Sequence, residues 1–522
     1  MIEEEKCDFR FINEPLKNRL KKNSITNILY FVLTLPIIFF ITPLILKYVG
    51  KEAYGIWVIA GTILIFVELF TNMQMSAAVS ILIPKYDVNK NKKDLNEICN
   101  TLVFFYFLTS VLVFVLYFFF KGNIINLFFN VEKNSVETVN FVLTASIYLF
   151  LINFVISGFV YFMNGFNVFY INSIMHIITG YVRAGLMVFV LFAGYGIKGI
   201  VIVQMTTTLA ETIILVFFAK VIFPPLKIGL KYVNFEKFKT MFNVGSRLFF
   251  SRVATQINNN VDKLILGYFL NPVMTAYYQI GSSIAKGITN IPEILGLYSL
   301  LPAASELKNK NQNNKIPVLY NRVNKYIFFV ALFLCSGFII FGREFINLWL
   351  GRGYNEAYMV LRILSIAYTL GVAGYAAMNL LNGMEKINET MTVSIVCAII
   401  NVMLSIVLTK FYGLKGAAVG TLISMGISAV WFYLLFYKII KCHLNLVEIF
   451  IKPLLCILAA FCINFLIELK IITYSNWMLF FVKIFIFSVI YFFMSYFVVR
   501  QFDDYDRDII KSYNPLSKLK RG

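Results

Sequence analysis

The sequence predicts an all-α polytopic membrane protein of about 14 transmembrane helices, with two repeated six-helix lobes around a central cavity and two further helices after them. Three observations lead there. Of the 522 residues, 59% are hydrophobic and only 14% charged, and the mean hydropathy is +0.76. A soluble core cannot hide that much apolar surface. The apolar residues also gather into runs of about twenty or more, the length that crosses a bilayer as a helix. Finally, short motifs of the first half of the chain return in order in the second.

Residues 1–23 are mixed in charge and end basic, at Lys17, Arg19, Lys21 and Lys22, as expected of a cytoplasmic tail. The first apolar run, 24–46, is too long for a signal-peptide core and shows no cleavage site, so it is expected to stay as a span. Pro36 and Pro43 are expected to kink it. Asn23, Asn27, Tyr30 and Thr34 share one face of its inner half. Further runs at 55–83, 99–120, 139–163, 168–193 and 197–222 complete a first lobe over 24–222. A basic linker, 223–241, leads to a second lobe over 242–438, with runs at 242–268, 274–302, 322–342, 357–382, 389–411 and 415–438. Two additional spans, 447–468 and 477–499, fill 439–499, and 500–522 is a second charged tail. Its Asp504-Tyr505-Asp506 matches a DxD motif of some glycosyltransferases, but a short charged tail reads as a solvated end.

The net charge of +20 would suit a nucleic-acid partner if it formed one patch. Instead the tails and even-numbered loops hold about 30 Lys and Arg against about 10 in the odd-numbered loops, the asymmetry that places both tails in the cytoplasm. Lys90, Lys92, Lys93, Lys227, Lys231, Lys237, Lys239, Lys308, Lys310 and Lys315 belong to the basic set. Nucleic acid is therefore not an expected partner; membrane lipid is. The seven cysteines, Cys7, Cys99, Cys335, Cys397, Cys442, Cys456 and Cys462, have neither metal nor disulfide spacing and read as small apolar filler. His176 and His443, the two histidines, lie far apart in sequence, so no cofactor and no His-based metal site is expected.

One stretch breaks the apolar pattern. On a helix over 247–263, Ser251, Thr255, Asn258 and Asp262 share a face, and Arg252, Gln256, Asn259 and Lys263 widen it by one residue. A polar face at membrane depth must look onto protein or water, since each unpaired group in hydrocarbon costs about several kcal/mol. A polar path through the protein is the expectation. A second stripe, with Tyr278, Ser282, Lys286, Thr289 and Glu293, follows in the next span.

The internal repeat is read from four pairs. Tyr195-Gly196-Ile197-Lys198-Gly199 returns as Tyr412-Gly413-Leu414-Lys415-Gly416, an offset of 217. Asn164-Gly165 returns as Asn382-Gly383 and Pro84 as Pro302, both at 218, and the motif at 125–129 returns at 346–350, at 221. Six spans thus repeat as six in the same orientation, with a pathway expected between the copies.

At this point the chain resembles the polysaccharide transporter branch of the multidrug/oligosaccharidyl-lipid/polysaccharide (MOP) flippase superfamily, the Wzx-type oligosaccharide flippases. The resemblance rests on YVGKEAYGIW at 48–57, NVDKLILGYFL at 260–270, AYYQIGSSIAK at 276–286 and the two YG(I/L)KG turns. It implies a pair of six-helix lobes around a cavity, and movement of undecaprenyl-pyrophosphate-linked oligosaccharide to the outer leaflet of the bacterial inner membrane. That is a step of O-antigen, capsule or other surface-polysaccharide synthesis. Partners then include the polyprenyl-pyrophosphate-linked glycan and a polysaccharide polymerase with its chain-length machinery. Lipid II flippases and MATE-like multidrug exporters share the superfamily, and the motifs do not separate them cleanly.

Intramembrane charges are costly and so are functional candidates. Arg252, Lys286 and Arg183 are deep in their spans, and Arg247 and Lys263 lie toward span ends, from which they can snorkel. Together they suggest a cationic cavity for a pyrophosphate, lined further by Asn27, Thr255, Asn259 and Ser282. The alternative is structural ion pairing: Arg183 with Glu211, and Lys286 with Glu68 or Glu293. Glu68, Glu211, Asp262 and Glu293 are candidates for a gate or for coupling to H⁺ or Na⁺, as an antiporter requires. Glu68 and Lys286 sit at near-equivalent places of the repeat and would suit a gate pair. Lys483 is expected to snorkel or to face a groove for a lipid tail. A membrane enzyme (a polymerase, ligase or lipid-sugar transferase) is the remaining class. The first outer loop is only about four residues, GKEA, and no nucleophile–base set is seen, so a transporter is favoured.

Overall fold

The computed structural model describes residues 14–297, 300–470 and 476–501. Cys7, residues 1–13 of the N-terminal tail and the sequence Asp504-Tyr505-Asp506 lie outside the described residues. Every regular element among the described residues is helical, and ten of the helices are long and apolar enough to cross a membrane. The fold is that of an all-α polytopic membrane protein. Contacts divide the chain into Met1–Ala276 and Tyr277–Gly522.

The first unit contains α1 (Leu16–Tyr48), α2 (Lys51–Asn72), α3 (Met75–Leu82), α4 (Lys92–Phe128), α5 (Val136–Gly165), α6 (Phe169–Phe192), α7 (Gly196–Ile222) and α8 (Phe235–Phe269). α1 is one helix through Pro36 and Pro43, and it lies along α6 through Asn23, Asn27 and Leu33. The Asn23 amide donates to the Asn167 carbonyl at 3.0 Å and its oxygen accepts from the Tyr170 N–H at 2.9 Å. Phe118 and Phe119 on α4 are 74% and 71% exposed, an exposure suited to lipid and not to water. The sequence repeat puts α8 at the head of the second lobe; the contacts count it with the first unit, where Gly245 rests on the backbone of Met73 and Gln74.

At 37 residues α4 is about 55 Å long at 1.5 Å per residue, longer than a bilayer core of about 30 Å. Its projecting end holds the linker. Asn96 donates to the Pro225 carbonyl and accepts from the Lys227 N–H; Asn100 donates to the Lys227 carbonyl and accepts from the Gly229 N–H. Thr101 accepts from the Asn234 N–H at 2.9 Å, and Lys237 pairs with Asp94 at 2.5 Å. The linker is thus a strap fastened to the first unit. Replacing Asn96 and Asn100 together by Ala removes four part-buried hydrogen bonds to the strap backbone, at about 1 kcal/mol for each lost partner. The expected result is rapid proteolytic cleavage between Pro225 and Asn234 in the double variant, while the parent resists.

The second unit starts within α9 (Pro272–Ala285) and continues through α10 (Ile291–Ile294), α11 (Leu300–Asn309), α12 (Ile316–Leu350), α13 (Asn355–Gly383), α14 (Ile387–Ile440), α15 (Lys452–Lys470) and α16 (Trp477–Phe493). The expected single span at 274–302 is not one α-helix. It tightens to a 3₁₀ segment at Lys286–Asn290, meets Pro292, and turns at Gly296 with φ +69°. The expected spans 389–411 and 415–438 are both within α14, which is interrupted at Gly413.

The repeat is visible in atomic detail within each unit. Gly196 and Gly413 have φ +56° and +57°, positive values that glycine adopts without a Cβ clash. Asn164 Oδ1 accepts from Asn172 Nδ2 at 3.3 Å, and Asn382 Oδ1 accepts from Thr390 Oγ1 at 2.5 Å, eight residues on in both copies. Asn167 and Glu385, also in register, have φ +60° and +67°. Gly165 packs on Ile83 and Gly383 on Leu301, each the residue before the repeated proline.

Candidate functional site

The polar helix α8 starts at Asn234, whose side chain accepts from the Glu236 N–H at 2.8 Å. Its predicted stripe changes character along its length. Arg247, Ser251, Arg252 and Thr255 are exposed, Gln256, Asn258 and Asn259 are half-buried, and Asp262 and Lys263 are buried. Lys263 was expected to snorkel from a span end. Instead it is enclosed and donates to Asn260 Oδ1 at 3.2 Å, while Asn260 donates to Gln256 Oε1 at 2.8 Å. A buried ammonium needs such partners, because desolvation is costly. The accessible cations of the stripe are therefore Arg247 and Arg252.

Gly245, two turns before Arg252, meets a break in the second span, which the sequence presents as a single run. Met73 and Gln74 have φ +46° and +59°, a left-handed conformation that non-glycine residues rarely hold. Asn72 Oδ1 closes the break by accepting from the Ser76 N–H at 3.3 Å, the Ser76 hydroxyl at 3.2 Å and the Tyr106 hydroxyl at 3.1 Å. One turn before it, Glu68 is exposed, and the Arg252 charge acts on both Glu68 and Tyr161 without a direct ion pair.

A second set of charges is in direct contact. Glu211 on α7 is buried; its Oε2 lies 3.3 Å from Arg183 Nη2 and its Oε1 pairs with His176 Nδ1. Arg183 also donates from Nε to Thr207 Oγ1 at 2.9 Å and from Nη2 to Thr208 Oγ1 at 3.2 Å. Three contacts thus tie Arg183 to α7, and its charge is offset there, as the ion-pair alternative expected. His176 was set aside in the sequence because no second histidine lies near it. The available signal was helical spacing: Thr179 and Arg183 follow it at i+3 and i+7 on one face.

Asn27 is exposed on α1, and its Oδ1 accepts from the Ser173 hydroxyl at 2.8 Å, joining α1 to α6. In the second unit Ser282 is buried, with its hydroxyl on the Gln279 carbonyl at 3.2 Å. Lys286 is half-buried where α9 gives way to the 3₁₀ turn, and Glu293 is exposed in α10. Lys483 neither snorkels nor faces a groove. Its ammonium sits 3.0 and 3.3 Å from the two oxygens of Glu344, joining α16 to α12. Replacing Lys483 by Met strands a carboxylate that is only 17% exposed, for an expected loss of about 2 kcal/mol. Adding Glu344→Gln restores the thermal stability of the purified protein if the pair acts as a unit.

No group of three or more His, Cys, Asp or Glu that could hold a metal ion is found among the described residues. Cys99, Cys335, Cys397 and Cys456 are buried and unbonded. What the first unit offers is two exposed arginines, Arg247 and Arg252, on a polar helix, with the Glu68 carboxylate nearby. Such a surface suits a polyanion, which guanidinium groups bind through paired hydrogen bonds.

Comparison with known proteins adds the family. A family described as polysaccharide biosynthesis protein matches residues 47–359. A probable flippase, AglR, of Haloferax volcanii is 23% identical over 173 residues, 33% of this chain and 36% of that protein. A probable low-salt glycan biosynthesis flippase, Agl15, of the same organism is 22% identical over 205 residues, 39% of this chain and 43% of that one. The chain therefore spans less than half the length of these curated relatives. Among solved structures, the lipid II flippase MurJ in an inward closed conformation superposes with a TM-score of 0.71, at 18% identity, over 94% of this chain and 99% of that one. An inward-facing multidrug resistance MATE family transporter of the MOP superfamily gives 0.63, at 14% identity, over 78% and 98%. These two likenesses are of fold.

Proposed function

We propose, from the premise that the chain belongs to the polysaccharide biosynthesis protein family, that it is a flippase for a lipid-linked glycan. The finer reading is an undecaprenyl-pyrophosphate-linked oligosaccharide carried across a bacterial inner membrane, with both termini cytoplasmic. A polysaccharide polymerase would then consume the flipped unit. The observation that carries the substrate class is the exposure of Arg247 and Arg252 on a helix too polar for lipid. A diphosphate can take two charge-assisted contacts from such a pair, while the glycan meets the Ser251 and Thr255 hydroxyls and the polyprenyl tail stays in lipid. Alternating access needs only that the loaded headgroup favour one of two arrangements more than the empty site does. A cationic drug is disfavoured by the same arginines, because like charges repel.

Binding tests this directly. Undecaprenyl pyrophosphate should bind the protein in nanodiscs far more tightly than undecaprenol. The difference should shrink on replacing Arg247 and Arg252 together by Gln. Equal binding of the alcohol and the diphosphate would remove the cationic site from the account.

A further inference from the structure

Three helices meet around one buried carboxylate of the first unit. Glu211 is 4% exposed, and its two oxygens face different partners on one face of α6: Arg183 with Oε2, and His176, two turns earlier, with Oε1. The third helix, α1, brings the Tyr30 ring to 6.2 Å from the imidazole. The groups facing His176 are thus Glu211 from α7, Tyr30 from α1 and Arg183 beyond Glu211. From α5 the cluster receives the uncharged Asn153, which accepts from the Thr212 hydroxyl at 2.8 Å.

This arrangement fixes the imidazole tautomer. Glu211 stands against the Arg183 guanidinium as its counter-ion, and a carboxylate can only accept. His176 Nδ1 must therefore carry the proton, which leaves Nε2 as the basic nitrogen on a ring that is half exposed, at 49%. With His176 neutral, the Arg183 and Glu211 charges cancel. A proton on Nε2 makes the cluster cationic by one unit, and the adjoining carboxylate stabilises the imidazolium. A net charge at membrane depth must meet water or another charge, so protonation favours arrangements in which this face is hydrated.

The position also has leverage. Asn27 with Ser173 and Leu33 with Tyr181 join α1 to α6 on either side of the Tyr30–His176 contact, the second as a hydrogen bond of 2.8 Å from the Tyr181 hydroxyl to the Leu33 carbonyl. Three residues beyond Leu33 comes Pro36. A cation at His176 next to the Tyr30 ring strengthens the middle contact of that seam. We infer that His176, seated on Glu211, is the proton-binding site through which a proton gradient biases the conformational cycle of this protein. Each unit by which the His176 pKa differs between two conformations shifts their ratio about tenfold on protonation. The coupling part rests on the flippase reading; the proton site itself does not.

The chain's two histidines make the site measurable in the full-length protein in nanodiscs. In ¹⁵N-histidine spectra of His443→Gln, the remaining ring should keep its Nδ1 proton at high pH and take its second proton at Nε2 as the pH falls. Glu211→Gln should move that step to lower pH, because the carboxylate no longer stabilises the imidazolium. A neutral ring protonated at Nε2, or a midpoint unmoved by Glu211→Gln, overturns the site; the first of these readings needs no change at Glu211. In sealed proteoliposomes an imposed pH gradient should accelerate glycolipid flipping by the parent about tenfold or more and leave His176→Gln at its gradient-free rate. Equal acceleration of the two overturns the coupling. If the parent moves no glycolipid while the ring titrates as described, the proton site stands and the flippase reading falls.

Discussion

Replacing Arg252 by alanine slows translocation of a polyprenyl-pyrophosphate oligosaccharide by about thirtyfold or more, the equivalent of about 2 kcal/mol of lost charge-assisted contact. Arg252 is exposed on α8, touches no acid directly, and shares its surroundings with Glu68 and Tyr161. Its removal therefore leaves no packed core undone. The protein should insert, purify and melt as the parent does, and the loss should appear in transport alone. Arg252→Lys should fall between the two, since an ammonium keeps the charge and loses the planar fork that grips a diphosphate. Lys286→Ala tests the second stripe in the same assay. Initial rates at matched protein density decide the matter, and parental rates for Arg252→Ala would withdraw this residue from the pathway.

The second large effect is on stability. A Cβ built on Gly383 would lie 2.4 Å from the Leu301 carbonyl oxygen and 2.7 Å from the Ala304 Cβ. Backbone cannot yield as a side chain can, so Gly383→Ala must push α11 off α13, at about 3 kcal/mol or more. The repeat supplies the control. At Gly165 the same Cβ meets only the Ile83 side chain, at 2.5 Å. Rotation can move the Ile83 Cδ1 away but not its Cβ at 2.8 Å, so Gly165→Ala should cost about 2 kcal/mol, less than Gly383→Ala. The temperature at which half the protein leaves the monodisperse state in detergent should drop markedly for Gly383→Ala and by less for Gly165→Ala. The Gly383 corner has a further tie, the 2.7 Å bond from Lys308 to Glu385. That hydrogen bond, and then the Lys308 charge, hold the Glu385 carboxyl below its ordinary range. The tie is therefore present at neutral pH and is lost as pH falls through the depressed value.

These contrasts show what a single sequence discloses. The fold class followed from composition and run length, because both depend on residues counted locally. The repeat was legible because its landmarks are glycines, prolines and an Asn-Gly pair, residues that tight turns and close approaches demand whatever surrounds them. Gly196 and Gly413 both hold a positive φ, the conformation their shared glycine allows.

Other features had no local signature. The break at Met73 and Gln74 contains neither glycine nor proline; it is stabilised from outside, by Tyr106 on another helix and by the approach of Gly245. Lys483 finds Glu344 from 139 positions away, and no periodicity reports a pairing at that distance. His176 was dismissed for lack of a second histidine, yet its partner is the carboxylate of Glu211 on the neighbouring helix. The polar stripe is legible as a face because its residues lie on one helix, α8. Burial then divided it, leaving Arg247 and Arg252 accessible and enclosing Asp262 and Lys263.

The central claim is that the chain moves a lipid-linked glycan. Purified protein in sealed proteoliposomes, supplied with polyprenyl-pyrophosphate oligosaccharide in one leaflet and a cationic dye in the lumen, tests it most directly. The account predicts protein-dependent appearance of the glycan at the opposite leaflet, with the dye retained. Dye release with the glycolipid left in place would contradict it, and would make Arg247 and Arg252 structural residues of an exporter.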